Sequence, residues 1–377
     1  MKKVNLFKNK ATNLCYSKLK VGIVCGGCSV EHEISLKSAI YIAQMIDKIR
    51  FEVLIVWMKR NKSWYIIDNR GDDIFSCFNH NECVSVFFQR FSKPFEFCPA
   101  DFNKLLKLDV IFPIIHGALG EDGSLQGFLN IMNVPYVGSD VLSSALCMHK
   151  DFSKRILRDF GLPVVPFITF LRSNRQQISF HNIVDIFNLP FFVKPVDQGS
   201  SIGVSVVSNN NSFNQALDIA FFYSHKIIIE PYVKGRELEC SVLGGNGTVE
   251  VSVCGEIILK NNYLYTYDDK YVRRNVQIVI PALINSNIYN HIRYIAARTF
   301  QVLNCFGMAR VDLFLTKNHQ IFVNEVNTLP GFTEDSMYLK LWQNSGIDSR
   351  LLITKLIRLA LNRHYNSSDS DCSNIVL

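Results

Sequence analysis

The run Leu19 to Cys25 is short, rich in β-formers, and stops at Gly26-Gly27, after which Ile34 to Ile46 carries apolar residues at helical spacing. Strand, glycine turn and helix in that order open an α/β unit, and this constrains the first third of the chain more than any other feature. Phe51 to Trp57 reads as a second strand. Leu108 to Ile114 reads as a third, which delivers His116 and Gly117 to its carboxyl end. In open parallel sheets ligands bind at that edge. Gly26-Gly27 does not extend into G-x-G-x-x-G, so a dinucleotide-binding dehydrogenase is disfavoured. Gly71 to Asp101 is poorly periodic, rich in Phe, Asn, Asp and Cys, and is expected to be a surface excursion carrying little chemistry.

With 377 residues the chain suggests two or three domains. Ser143 to Phe160 is helical in pattern and ends at Gly161-Leu162-Pro163, where glycine can cap a helix and proline forbids its continuation. From Phe191 strand-like runs (Phe191 to Pro195, Gly203 to Val207, Ile227 to Pro231) alternate with a helical stretch, Asn211 to Phe222, as in an α+β module. Gly235 to Arg363 is mixed, with β-rich Leu238 to Leu243, Thr248 to Leu259, Arg310 to Leu315 and Gln320 to Val326, and helices at Ser286 to Leu303 and Leu351 to Asn362. The expected division is a flexible leader 1–18, domains 19–145, 146–233 and 234–365, and a Ser/Asp-rich tail 366–377 that frays.

Composition narrows the function. Hydrophobic residues at 48% and charged residues at 19% indicate a globular chain. The net charge of +7 is modest and scattered, which argues against a nucleic-acid partner and for a small anionic substrate. Mean hydropathy is +0.11, yet no stretch reaches the roughly 18 consecutive apolar residues of a spanning helix. Met1 to Lys20 lacks the apolar core and cleavage site of a secretory signal, and eleven irregularly spaced Cys suit reduced thiols, so a cytoplasmic protein with no membrane partner is expected. Cys25 and Cys28 have C-x-x-C spacing without a second pair, and the glycines between them point to a tight loop.

There is no G-x-x-x-x-G-K-[ST] loop, so use of ATP requires another phosphate device. Lys194-Pro195-Val196-Asp197-Gln198-Gly199-Ser200-Ser201-Ile202-Gly203 supplies a candidate: a lysine at a strand end, then a glycine and serine loop whose N–H groups and hydroxyls can wrap polyphosphate. Alone, it reads equally as a flexible hairpin beside a solvated lysine. Arg310-Val311-Asp312 and Glu325-Val326-Asn327 lie on successive β-rich segments. Paired as a hairpin, Asp312, Glu325 and Asn327 could present oxygens to one locus, as Mg²⁺ against phosphates requires, the competing reading being a surface hairpin facing water.

Four separated motifs, Gly26 to Ser35, His116 to Gly123, the Lys194 to Gly203 loop, and Arg310 to Asp312 with Glu325 to Gly331, stand in the order found in the D-alanine:D-alanine ligases of the ATP-grasp superfamily. The chain resembles that family from about Leu19 to Arg363. The resemblance implies an α/β and α+β architecture, in which an N-terminal Rossmann-like parallel-sheet domain precedes a two-part ATP-grasp fold. It also implies ATP as substrate, two Mg²⁺ or Mn²⁺ ions, and a reaction in which one D-alanine carboxylate is phosphorylated and the amine of a second displaces phosphate. Family members are commonly homodimers, so a dimer through the first domain is expected.

Position by position, the resemblance makes Glu31 the partner of the first substrate's ammonium, networked with Ser200 and Tyr271, and puts His116 beside that substrate. Arg310 and the N–H of Gly331 resemble the pair that stabilises the oxyanion, and Ser336 and Lys270 the groups near the second carboxylate and the γ-phosphate. Lys150 and Lys194 match phosphate-binding lysines, with Ser200 and Ser201 in the loop. Glu230 and Val233 correspond to base recognition, Glu237 to the ribose, and Asp312, Glu325 and Asn327 to the metal ligands. Tyr265 to Tyr271 is similar to the loop that closes over the reacting centre, and Tyr271 favours an amine acceptor over D-lactate. Cys28 stands where the family commonly has Thr or Lys. A non-catalytic relative would have lost a metal ligand or the arginine, and neither is missing.

Overall fold

The computed structural model describes residues 18–67, 84–89, 96–99, 106–245, 247–259 and 276–371. The first sheet is built on β1 (Leu19–Gly26), parallel to β2 (Phe51–Met58) on one side and to the strand Val110–Pro113 on the other. Helix α1 (His32–Met45) returns the chain between β1 and β2. Beyond β2 the sheet continues antiparallel through β3 (Trp64–Ile67), β4 (Val84–Gln89), β5 (Glu96–Pro99) and β6 (Leu106–Lys107), and Val110–Pro113 is β7 at the opposite edge. Two of these strands, β4 and β5, fall within the poorly periodic stretch Gly71 to Asp101, where the sequence did not show them. They are runs of six and four residues, too short for a period of two to stand out.

One face of this sheet packs on α1 and on the last helix of the chain, so that Ile42 and Phe112 share a core with Leu352, Leu356 and Ile357. The other face is covered by α2 (Ser124–Ile131) through Leu125 and Leu129. The stretch expected as one helix from Ser143 to Phe160 is two, α3 (Val141–Met148) and α4 (Lys150–Asp159). His149 between them is extended (φ −91°, ψ 94°), and the backbone N–H of Lys150 donates to the carbonyl of Val196 instead of continuing the first helix.

The second sheet is antiparallel, in the order β10 (Ser205–Val207), β9 (Phe191–Pro195), β11 (Lys226–Pro231), β8 (Ile168–Leu171). Helices α5 (Phe180–Phe187) and α6 (Asn210–Tyr223) cover it, with Ile183, Phe213, Leu217 and Phe221 packed on Phe191, Val193, Ile227 and Ile229. The third sheet is also antiparallel: β14 (Val276–Val279), β13 (Thr248–Leu259), β12 (Gly235–Gly245), β15 (Gly307–Thr316), β16 (Ile321–Asn327). Leu238, Cys240, Val242, Val311 and Leu313 face α7 (Ser286–Val302), so the alternation of the pleat turns Glu237, Glu239, Arg310 and Asp312 to the other side. Helix α8 (Met337–Gln343) precedes α9 (Ser349–Asp371), which stays helical past the point at which fraying was expected; residues 372–377 lie outside the described residues. Among the described residues no helix is long and apolar enough to cross a membrane.

Arg363 pins α9 in place. Its guanidinium donates to the carbonyls of Gly138 and Tyr136, both at 2.8 Å, and lies between the rings of Tyr136 (4.5 Å) and Phe306 (4.6 Å). Loss of two charge-assisted hydrogen bonds and the ring contacts predicts that Arg363→Ala costs about 3 kcal/mol. Urea denaturation of the two proteins checks this, and a difference under about 1 kcal/mol would mean that other contacts hold the helix.

Candidate active site

The carboxyl edge of the first sheet is shaped by a turn that only glycine can make. Gly26 has φ +96°, and a Cβ there would lie 2.2 Å from the carbonyl oxygen of Met58. Ser35 ties this turn to β7, accepting from the N–H of Gly26 (2.8 Å) and donating to the carbonyl of Ile114 (2.6 Å). Ser29 donates to the carbonyl of His116 at 2.7 Å. Glu31 at the head of α1 and His116 after β7 are thereby brought to one place. Cys25 is buried within β1 while Cys28 is exposed, so the C-x-x-C spacing does not bring two accessible thiols together.

The loop after β9 has Ser200 (φ +49°), Ser201 (φ +60°) and Gly203 (φ +70°) in the left-handed region. Lys150 braces it, donating to the carbonyl of Gln198 at 2.6 Å, and its ammonium lies 3.5 Å from Glu325. The Ser200 hydroxyl crosses from the second sheet to the first and donates to Glu31 Oε1 at 2.5 Å.

On the third sheet Arg310 pairs with Asn327, and Asp312 with Glu325. The register then shifts, so that Leu313 faces Val323 and Asn324 is the extra residue of a bulge. The bulge lets Val323 and Val326, three apart, both be buried while Glu325 and Asn327 share the open face with Arg310 and Asp312. Arg310 grips Asp312 with two hydrogen bonds of 2.7 Å and lies 3.1 Å from Glu239. Two carboxylates and an amide on neighbouring strands form an all-oxygen donor set, which fits Mg²⁺ or Mn²⁺ completed by substrate phosphates. Among the described residues no cluster of three His, Cys, Asp or Glu could hold a metal without such help. After Gly331, whose missing side chain leaves room 3.1 Å from the Ser336 hydroxyl, Ser336 accepts from the N–H of Thr333 at 2.8 Å.

Among the described residues Glu31, His116, Lys150, Ser200, Arg310, Glu325, Asn327, Gly331 and Ser336 line one cavity of about 330 Å³. It shares Lys150, Gly199, Glu239 and Glu325 with a second, which adds Lys194, Ser201, Glu237 and Asp312. A third, of about 310 Å³, is lined by Lys194, Glu230, Tyr232, Val233 and Glu237. Lys270 and Tyr271, with the rest of the Tyr265 to Tyr271 stretch, lie outside the described residues.

Three charged residues here were not singled out in the sequence. Glu121 sits 3.5 Å from His116 and also lines the main cavity. Burial raises the Glu121 carboxyl, and Glu31 adds to the rise; burial opposes a charge on His116, but Glu121 and Glu31 outweigh it and raise the imidazole. His116 and Glu121 therefore both hold protons to higher pH than either would alone in water. Glu239 lies beside Arg310, and Lys154 is buried against Glu230. The spacing of Lys150 and Lys154, one helical turn apart, was the available signal for the last.

Three sheets meeting around joined cavities, a lysine-flanked serine and glycine loop on the second sheet and an acidic hairpin on the third, define an ATP-grasp ligase. Family models describe the same chain: that for the D-ala D-ala ligase N-terminus matches residues 20–139, and that for the C-terminus residues 156–358. A D-alanine–D-alanine ligase of Blochmanniella floridana is 59% identical over 93% of this chain and 99% of its own. D-alanine–D-alanine ligase A of Salmonella typhimurium is 49% identical over 92% and 97%. Among solved structures, the D-alanine–D-alanine ligase of Coxiella burnetii superposes with a TM-score of 0.81 at 34% identity, covering 94% of this chain and 98% of that one. A D-Ala:D-Ser ligase of Enterococcus faecalis gives 0.82 at 32%, covering 91% and 100%. The chain belongs to the D-alanine–D-alanine ligase family.

Glu230 supplies a pH test. Burial alone would raise its carboxyl, but Lys154 and Lys194 hold it at about 2, below its ordinary 4.5. The sign follows from a depressed folded-state value: stability from the ionised group is fully present above about pH 4.5 and is lost as pH falls towards 2. The displacement corresponds to about 3 kcal/mol. The stability gap between the unmodified protein and Glu230→Gln should be constant from pH 7 to 5 and shrink below 4.5. A gap that persists unchanged to pH 3 in urea titrations would refute the assignment.

Proposed function

We propose that this protein joins two molecules of D-alanine at the expense of ATP, releasing ADP, phosphate and D-alanyl-D-alanine for peptidoglycan synthesis in the cytoplasm. The observation that carries the reading is the convergence of Glu31, Ser200 and Arg310, one from each sheet, on a single cavity. A carboxylate, a hydroxyl and a guanidinium in that arrangement suit an amino acid whose ammonium and carboxyl must both be held while charge develops on the carboxyl carbon.

In this reading the ammonium of the first D-alanine docks on Glu31, oriented by Ser200 and flanked by His116. Its carboxylate attacks the γ-phosphorus of ATP, whose phosphates lie against Lys150, Lys194 and the Ser200–Ser201 loop, with the base at Glu230 and Val233 and the ribose at Glu237. Asp312, Glu325 and Asn327 hold two divalent cations, which when bound neutralise phosphate charge. Lys270 meets the γ-phosphate, and Ser336 orients the carboxylate of the second D-alanine, whose amine attacks the acylphosphate. Arg310 and the N–H of Gly331 stabilise the tetrahedral oxyanion before phosphate leaves. Closure of the Tyr265 to Tyr271 stretch keeps water from the acylphosphate, with Tyr271 joining the Glu31 network. The active form is a homodimer.

Phosphate release from Mg²⁺-ATP, with products identified by mass, tests the reading. Release should require D-alanine and yield the dipeptide, with little from L-alanine, from D-alanine offered D-lactate or D-serine as acceptor beyond the D-alanine background, or from ATP alone. Preference for D-serine would redirect the acceptor assignment. Arg310→Ala should lower kcat by a factor of about 100–1,000 while ATP affinity changes only a few-fold; wild-type turnover would exclude the oxyanion role. Sedimentation equilibrium should give a dimer, and a monomer at assay concentration removes that claim.

A further inference from the structure

Lys154 has no part in the chemistry outlined above, yet it is one of the most buried charged residues in the protein, 2% exposed. A buried ammonium is costly unless paired, and even a paired one seldom adds stability over an apolar side chain of the same size. Its position suggests what it does. Lys154 lies on α4 one turn after Lys150, and its Nζ is 2.8 Å from Glu230 Oε1. The other oxygen of the same carboxylate accepts from Lys194 Nζ at 2.6 Å. Asp151, one turn earlier on the helix, is clasped by Lys226 at the start of β11, the strand that ends in Glu230-Pro231. The helix is thus fastened to β11 at two places, and Lys150 emerges from the same helix into the cavity.

The charge balance is decisive. Glu230 is 1% exposed, whereas Lys194 reaches the walls of both outer cavities. Facing Glu230 alone, Lys194 would be neutralised by it. With Lys154 on the far oxygen, the buried group carries a net single positive charge, and Glu230 is turned so that only one oxygen faces Lys194. We infer that Lys154 is a positioning residue for nucleotide binding, offsetting Glu230 so that Lys194 keeps its charge for the phosphates of ATP. This rests on the proposed ATP site and deepens it.

The test is ATP affinity by calorimetry, alongside steady-state kinetics, for Lys154→Met and for Lys154→Arg in the full chain. Lys154→Met should bind ATP at least about 10-fold more weakly and raise the KM for ATP, with kcat at saturating ATP and the KM for D-alanine within about two-fold of the unmodified protein. Lys154→Arg, which keeps a cation against Glu230, should recover ATP affinity by about three-fold or more over Lys154→Met. A merely structural role would lower the folded fraction without this recovery. Unchanged ATP affinity in Lys154→Met, or a Lys154→Arg variant that binds ATP no better than Lys154→Met, overturns the inference while leaving D-alanine-dependent turnover, and the proposed function, standing. An unmodified protein that binds no ATP overturns both.

Discussion

The structure depends on one close approach. Gly307 begins β15 with φ +73°, a conformation in which a side chain is strained, and a Cβ there would stand 3.0 Å from the backbone nitrogen of Gly138, so the third sheet starts tight against the segment that follows the first. The residues that follow distribute themselves among everything the chain must hold together. Met308 enters the core shared by the first sheet and α9, Ala309 and Val311 enter the core under α7, and Arg310 and Asp312 face the cavity. Ser139 and Ser143 fasten the same junction by hydrogen bonds to Phe306 and Asn304. A side chain at position 307 would therefore move the guanidinium as well as the fold.

The joined cavities are lined by charge of both signs, with carboxylates in excess. Glu31, Glu121, Glu239, Asp312 and Glu325 bring carboxylates to its walls, and Lys150, Lys194 and Arg310 bring cations. Arg310 is shared between Asp312 and Glu239, and Lys150 between Glu325 and a loop carbonyl. Groups arranged so are fixed before a substrate arrives, and little reorganisation remains when charge develops during reaction.

Much of this was legible in the sequence because it is local. The strand, glycine turn and helix from Leu19 to Ile46, the stop at Gly161-Leu162-Pro163 and the hairpin carrying Asp312 and Glu325 all follow from patterns within a dozen residues. The strands Val84–Gln89 and Glu96–Pro99 did not show, since their pairing with β3 and with each other depends on a sheet assembled elsewhere. The break at His149 did not show because the hydrogen bond that ends the helix goes to Val196, on a different element. In the site, residues inside glycine-rich motifs were found. Glu239 and Lys154, set in an ordinary strand and an ordinary amphipathic helix, gain meaning only from partners many residues away, Arg310 and Glu230.

The contact between Ser200 and Glu31 ties the first and second sheets together at the cavity. Ser200 stands on a loop with two successive left-handed residues, and its hydroxyl reaches a carboxylate at the head of α1, beside another sheet. A 2.5 Å hydrogen bond of this kind makes the position of the loop after β9 and that of the head of α1 depend on each other, so neither can shift without moving a group that lines the cavity.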